Sequence, residues 1–313
     1  AAAPDAAAAA DAAPGSCDPA TPWASHPPLP LGPTQETAVV AVASKLYVLG
    51  GFHTDLGVVS AVQIFDPAAC TWSMGPALPK PLHHINVASV GGAIYVLGAL
   101  ETLSFTATGE VWAWNPASET TWSARTAMPA GTQRGSSVVA TIGDQIYVAG
   151  GLRNGAVADV SRFDPATNEW TALPALPAAR DHACGGALDG RLVVAGGRQA
   201  NITSTSPTLF AYAPGGAWSE LAPMPTARGG TACGVLGDQL VVVGGEGNPD
   251  APSGVFPQVE AYSATTTAWT TLAPMPTPRH GMGAAAIGGK LYVPGGATRQ
   301  AFGAVATHEV LTP

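Results

Sequence analysis

Charge is what this chain has least of. Asp, Glu, Lys and Arg together make up 11 % of its 313 residues, against about a quarter in an ordinary soluble domain. Lysine is nearly missing, with only Lys45, Lys80 and Lys290. A net charge of −8 with so few cations excludes a general nucleic-acid binder, which must neutralise many phosphates. It also disfavours attachment to an anionic membrane surface. No apolar run reaches the roughly 18 residues a membrane-spanning helix needs, so no membrane insertion is expected.

The opening stretch AAAPDAAAAADAAPGS lacks a basic n-region and a leucine-type apolar core. It reads as a linker of the kind left behind a removed export signal. Residues 1–16 are therefore expected to form an Ala/Pro-rich arm or linker, with residues 1–14 disordered on composition. An exported protein, secreted, periplasmic or at the cell surface, is the expected setting.

What the chain does have is apolar residues (46 %), 38 glycines and 29 prolines, in a repeating order. KLYVLGG ends at Gly51, QIYVAGG at Gly151, RLVVAGG at Gly197, QLVVVGG at Gly245 and KLYVPGG at Gly296, while AIYVLGAL gives a sixth copy with Gly98 and Ala99. Trp23, Trp72, Trp122, Trp170, Trp218 and Trp269 recur at intervals of 49, 50, 48, 48 and 51. Between glycines and tryptophan lies a third landmark: VQIFDP, VWAWNP, VSRFDP, LFAYAP or VEAYSA. Short β-rich runs separated by Gly, Pro and Asn turns make each unit a small antiparallel sheet, unable to bury both faces alone.

A period near 50 with diglycine, an aromatic and a spaced tryptophan resembles the kelch repeat over residues 17–313. The resemblance implies an all-β, six-bladed propeller forming one domain over residues 17–313. The last unit stops after HEVLTP with no tryptophan, and the missing piece stands at the other end as CDPATPW. The N-terminal strand is thus expected to complete the last blade and close the ring. All six tyrosines occupy repeat positions, which disfavours a radical copper oxidase needing tyrosine ligands.

Sixteen residues before each first glycine stand Thr34, Leu82, Arg134, Arg180, Arg228 and Arg279, and two residues later Glu36, His84, Ser136, His182, Gly230 and Gly281. The resemblance places these at one mouth of the central channel. The loops after the glycines bring His53, Glu101, Arg153, Arg198, Glu246 and Asn248 to the same mouth. Candidate ligand-binding residues are Arg134, Arg153, Arg180, His182, Arg198, Arg228, Arg279, His53 and His84. Forked guanidiniums suit carboxylates and acidic peptides. Kelch repeats commonly place Arg at the first of these positions, bonded to neighbouring-blade carbonyls, so Arg180, Arg228 and Arg279 are expected to be mainly structural.

His83, His84, His182 and His280 share one stage of their repeats, but no H-x-H or H-E-x-x-H pattern supports a metal, and neither metal nor cofactor is expected. EGNPDAPSG supplies Glu246 and Asp250 at the spacing of the iron motif of plant specifier proteins, but Gly254 replaces its histidine, so a solvated loop is expected. Cys17 and Cys70 lie near strand turns of the last and first blades, where a disulfide in an oxidising compartment would staple the closure and two unpaired thiols are the alternative. Cys184 and Cys233 lie in adjacent innermost strands, with two buried thiols the simpler expectation and a disulfide the alternative.

The functional expectation is an exported binding or assembly module that meets a protein partner or neighbouring subunit through its channel mouth, with its N-terminal arm as a second possible point of contact. The alternative is a small-molecule enzyme for an acidic or sugar ligand, similar to the bacterial sialic-acid mutarotases. That alternative needs a deep pocket with Glu36 or Glu101 within reach of His182 and the arginines.

Overall fold

The computed structural model describes Cys17 and residues 22–313; the arm expected over residues 1–16 lies outside the described residues. The period of the sequence becomes the period of the structure. Six four-stranded antiparallel sheets stand among the described residues. Blade 1 runs Ala38–Val42, Lys45–Leu49, Val62–Asp66 and Thr71–Met74 from the inside out. Blades 2 to 5 begin at Val87–Val90, Val138–Ile142, Cys184–Leu188 and Ala232–Leu236. Blade 6 takes Ala285–Ile287, Lys290–Pro294 and His308–Leu311 from the C-terminus and its outer strand, Trp23–His26, from the N-terminus. Trp23 faces Leu311 and His26 faces His308, so the ring closes as the sequence indicated.

The second strand of each blade is buried on both faces, as LYVL, IYVA, LVVA, LVVV and LYVP require. Its side chains pack against the next blade, giving the apolar layers between sheets. Tyr47, Tyr95, Tyr147, Tyr212, Tyr262 and Tyr292 are all buried in these layers.

Two repeated hydrogen bonds explain the other landmarks. Each outer-strand indole donates to the blade before it: Trp72 to Pro27 O at 2.8 Å, Trp122 to Pro76 O at 3.0 Å, Trp170 to Thr126 O at 3.0 Å. Trp218, Trp269 and Trp23 continue to Pro174 O, Ala222 O and Ala273 O, so the chain's first tryptophan completes a rim of six. Nearer the axis, the second glycine donates across to the following blade, as Gly151 N does to Arg180 O at 2.7 Å. The preceding Gly150 has φ +63°, and a Cβ there would sit 2.7 Å from that same oxygen. Only glycine lets the two backbones approach so closely.

Both cysteine pairs are joined, Cys17 to Cys70 and Cys184 to Cys233, each with Cα atoms 5.8 Å apart. The second pair corrects the expectation of free thiols. The innermost strands of blades 4 and 5 pack side by side, and the two residues turn toward each other across that interface.

Candidate functional site: a polar ring at the channel mouth

The six positions two residues past the arginine column converge at the head of the innermost strands. Glu36, His84, Ser136, His182, Gly230 and Gly281 all have φ between 49° and 64°. Their amides form a ring: Glu36 N donates to Gly281 O, Gly281 N to Gly230 O, Gly230 N to His182 O, Ser136 N to His84 O and His84 N to Glu36 O. The one gap is bridged by a side chain, His182 N donating to Ser136 Oγ at 3.2 Å. Glycine accepts this left-handed conformation freely, whereas each side chain there costs of the order of 1–3 kcal/mol. Four of the six units carry that cost: Ser136 bridges the amide ring, while Glu36, His84 and His182 meet one another.

Those side chains join their neighbours in a closed circuit. Glu36 Oε2 lies 3.0 Å from His84 Nε2, and His84 Nε2 lies 2.9 Å from His182 Nε2. His182 Nδ1 is 2.6 Å from Asp181 Oδ1, which accepts from Arg198 Nε at 3.1 Å. The Arg198 fork reaches Glu246 at 2.7 Å. His280 Nδ1 stands 3.5 Å from Glu246 and 3.7 Å from Glu36, closing the loop. Every member is buried. Behind His84, His83 Nδ1 sits 2.5 Å from His84 Nδ1, and His83 Nε2 donates to Thr102 O at 2.9 Å.

Burial dominates the electrostatics. It would raise the Glu36 carboxyl, but His84, with help from His280 and His182, holds it well below the usual carboxylate range. Burial would likewise raise Asp181, and its bond to His182 and the charge of Arg198 bring it down instead. Burial and the nearby Arg198 push His182 down, against the pull of Asp181. His83 falls to about 4 by burial and by the neighbouring His84. The circuit thus holds two ionised carboxylates against a histidine that resists protonation, a set of groups that can accept or relay a proton.

Arg180, Arg228 and Arg279 take structural partners, as expected, and Arg134 joins them. Arg134, Arg228 and Arg279 are 0 % exposed and turn into their blades, away from the mouth. Arg134 donates to Gly150 O, Val148 O and Thr132 O. Arg228 pairs with Glu260, and Arg279 with Glu309 at 2.8 Å. Arg180 bonds Ser206 Oγ and Thr208 Oγ1. Where these arginines do reach carbonyls, the acceptors belong to each arginine's own blade and not to a neighbour. Arg153 is half-buried and paired with Asp159 at 3.2 Å. Of the arginines, only Arg198 joins the ring. His53 accepts the amides of Asp55 and Leu56 on Nδ1, lies 2.9 Å from Leu31 O through Nε2 and organises its loop. Glu101 is drawn to Lys80, out of the ring. Asp250 is exposed while Glu246 points inward, so the two do not form an iron motif.

A second feature of the mouth escaped sequence reasoning. A cavity of about 660 Å³ opens between the loops of blades 1, 2 and 6, walled by Phe52, Leu103 and Phe302 with Gln35, His53 and Arg299 among its polar lining. Leu103 and Phe302 are 68 % and 57 % exposed. Phe52 also stacks on His83 with centroids 4.1 Å apart, linking this wall to the ring. The available signal was a phenylalanine in each of two polar, Gly-rich loops, GGFHTD and RQAFGA.

A six-bladed ring closed by both termini, with diglycine second strands and an outer tryptophan, defines a kelch-type propeller. The KLHDC2/KLHL20/DRC7 Kelch-repeats domain matches residues 21–197 and the Kelch motif matches 227–276. The chain belongs to the kelch-repeat family. It is 34 % identical over 312 residues to Kelch-like protein terF of Aspergillus terreus (strain NIH 2624 / FGSC A1156), covering 93 % of this chain and 66 % of that protein. Kelch-like protein 35 of Mus musculus is 32 % identical over 178 residues, 56 % of this chain and 29 % of that one. The chain therefore spans from under a third to about two thirds of these relatives. The solved structure of YjhT superposes with a TM-score of 0.75 at 17 % identity, covering 90 % of this chain and 95 % of that one, a likeness of fold alone.

Proposed function

We propose that this propeller is an exported binding module that receives its partner on the loop-bearing mouth. Kelch propellers commonly bind proteins, and the observation that carries the reading here is the 660 Å³ cavity with its exposed Leu103 and Phe302. Among the described residues, His53 and Arg299 are the ionisable side chains lining it. The partner group that fits is an apolar side chain beside a carboxylate, on an acidic segment of another protein or of a neighbouring subunit. Anilinonaphthalene sulfonate, an apolar anion, should bind the folded chain with a fluorescence rise that Phe302→Asp or Leu103→Asp removes. A signal indifferent to both changes sinks the reading. Light scattering of the full chain, and of one lacking residues 1–14, decides whether the neighbour is a second copy.

The polar ring supports a second reading, a small-molecule enzyme acting on an acidic or sugar-like ligand. Part of the requirement set from sequence has support: Glu36 joins His182 through His84, and Arg198 joins through Asp181, while Glu101 stands outside and the cavity beside the ring is small, about 130 Å³. Glu36 and His182 would supply the acid–base pair. Export is supported by the two cystine pairs, which persist in oxidising compartments. Alkylation of the unreduced natural protein should leave all four cysteines unmodified, and any labelled thiol counts against export.

A further inference from the structure

The hydrogen-bond partners of the ring leave a place for a positive charge. His83 Nε2 faces the Thr102 carbonyl and so carries a proton. In a neutral His83, Nδ1 is then an acceptor, and the facing His84 Nδ1 must donate. His182 Nδ1 donates to the Asp181 carboxylate. Both remaining nitrogens, His84 Nε2 and His182 Nε2, are lone pairs in the neutral rings. They face each other at 2.9 Å, with Glu36 Oε2 a further 3.0 Å from His84 Nε2. With both rings neutral, three donor atoms converge with no hydrogen between them, and either a proton on His84 or a metal cation fills the gap.

We propose that Glu36, His84 and His182 bind a divalent first-row transition-metal cation of the zinc or ferrous class.

The geometry suits it. The three ligand atoms lie within 4.8 Å of one another. Ligands about 2.1 Å from one ion stand about 3.0 Å apart at right angles and about 3.4 Å apart in a tetrahedron, close to the two short edges, and the third pair must come within about 4.2 Å, so the Glu36 carboxylate turns inward as the ion binds. Two imidazoles and one carboxylate are the donor set of catalytic zinc and of non-haem iron, and lack the thiolates that soft cations prefer. Each imidazole presents Nε2 to the centre while its Nδ1 is held from behind, His182 by Asp181 and His84 by His83. That outer support fixes ring orientation in metal sites. Charge agrees as well. Asp181 and Glu246 pair with the guanidinium of Arg198, while Glu36 has only the histidines beside it, so the carboxylates of the circuit outnumber its one arginine and a divalent ion offsets the excess. His280 Nδ1, 1 % exposed and without a hydrogen-bond partner, points at the same carboxylates. A cavity of about 130 Å³ adjoins the donor atoms, and Thr37 Oγ1 and Thr231 Oγ1 on its wall are buried and unpaired. Open coordination positions would face this polar space.

The proposal rests on neither reading of the mouth and is tested without activity. The full chain is stripped with chelator and titrated at neutral pH with Zn²⁺ by calorimetry, and with Co²⁺ by visible absorption. One equivalent should bind, with ligand-field bands. His182→Ala and Glu36→Gln should each weaken binding by at least about 100-fold, and Asp181→Asn by about 10–100-fold, the range for outer-shell partners. Glu169→Gln, on an exposed outer strand, should change nothing, and circular dichroism verifies that each variant is folded. Should His182→Ala unfold, the Asp181→Asn result decides. Absence of saturable uptake would mean that a proton alone occupies the gap, and uptake indifferent to these changes would mean an adventitious ion; either overturns the proposal.

Discussion

His84 and His182, 98 residues apart and from blades 2 and 4, meet nitrogen to nitrogen at 2.9 Å at the head of the central channel. They do so because both sit in the left-handed backbone region, at φ 49° and 50°, where the innermost strand begins. That conformation throws the side chain toward the axis while the amide stays in the inter-blade ring.

Gly281 and Gly230 hold the equivalent positions in blades 6 and 5, and the space each leaves is used differently. A Cβ on Gly281 would overlap the Glu36 carboxylate, whereas one on Gly230 would meet the flexible Glu246 side chain at 3.2 Å. Gly230→Ala should therefore cost only the left-handed backbone penalty, about 1–2 kcal/mol. Gly281→Ala should cost more, because Glu36 must leave His84. Urea unfolding of both variants measures the difference, and equal losses would mean that Glu36 is not held in place.

The buried arginines should behave as structural ion pairs. Glu309→Gln leaves Arg279, 0 % exposed, without its counter-charge and should cost about 3–5 kcal/mol. The double change Arg279→Met with Glu309→Leu should recover most of that loss, since two apolar groups remove both desolvation costs together. A thermodynamic cycle on these variants reads the coupling directly.

Blade number and closure were legible because each depends on a local pattern printed six times. The site was legible only in its column. Repeat position placed Glu36, His84 and His182 together, but the same logic placed Arg134, Arg228 and Arg279 there too. A sequence cannot say that residues two apart point opposite ways when one of them is left-handed. Glu101 failed for a different reason. Blade 2 has Ala99 in place of the second glycine, and its hairpin continues through a bulge after Leu97 to pair Glu101 with Thr106. The longer ladder carries Glu101 outward to Lys80. Asp181, Glu246 and His280 come from three blades, and nothing local couples them.

Closure by the N-terminal strand should dominate the effect of truncation. Removing residues 1–14 keeps every described strand and the Cys17–Cys70 link, and should leave thermal stability unchanged. Starting the chain at Pro27 removes the partner of His308–Leu311, the Trp23 bond to Ala273 and the Cys17–Cys70 link. That loss should exceed about 4 kcal/mol, beyond what single surface changes produce. Differential scanning calorimetry of the two truncations makes the comparison, and similar melting temperatures would refute the closure argument.

His308 ties this closure to pH. It is buried against Phe65, Trp72, Tyr292 and His26 where blades 6 and 1 meet, with Nδ1 3.2 Å from Pro27 O. Burial pushes its pKa down to about 3, with the neighbouring charges of His26 and Arg279 adding to the effect. Between the ordinary histidine value of about 6.5 and that folded value, the unfolded chain binds a proton that the folded chain refuses. The contribution of His308 is therefore complete above about pH 6.5 and is lost as the solution is acidified, at up to about 1.4 kcal/mol per pH unit. His308→Phe keeps an aromatic ring in the nest and removes the titration. Its unfolding free energy should fall less steeply than that of the natural chain between pH 6.5 and about 4, by one proton's worth of slope. Parallel curves would mean that His308 is solvated, and that the seam between the first and last blades is looser than its packing shows.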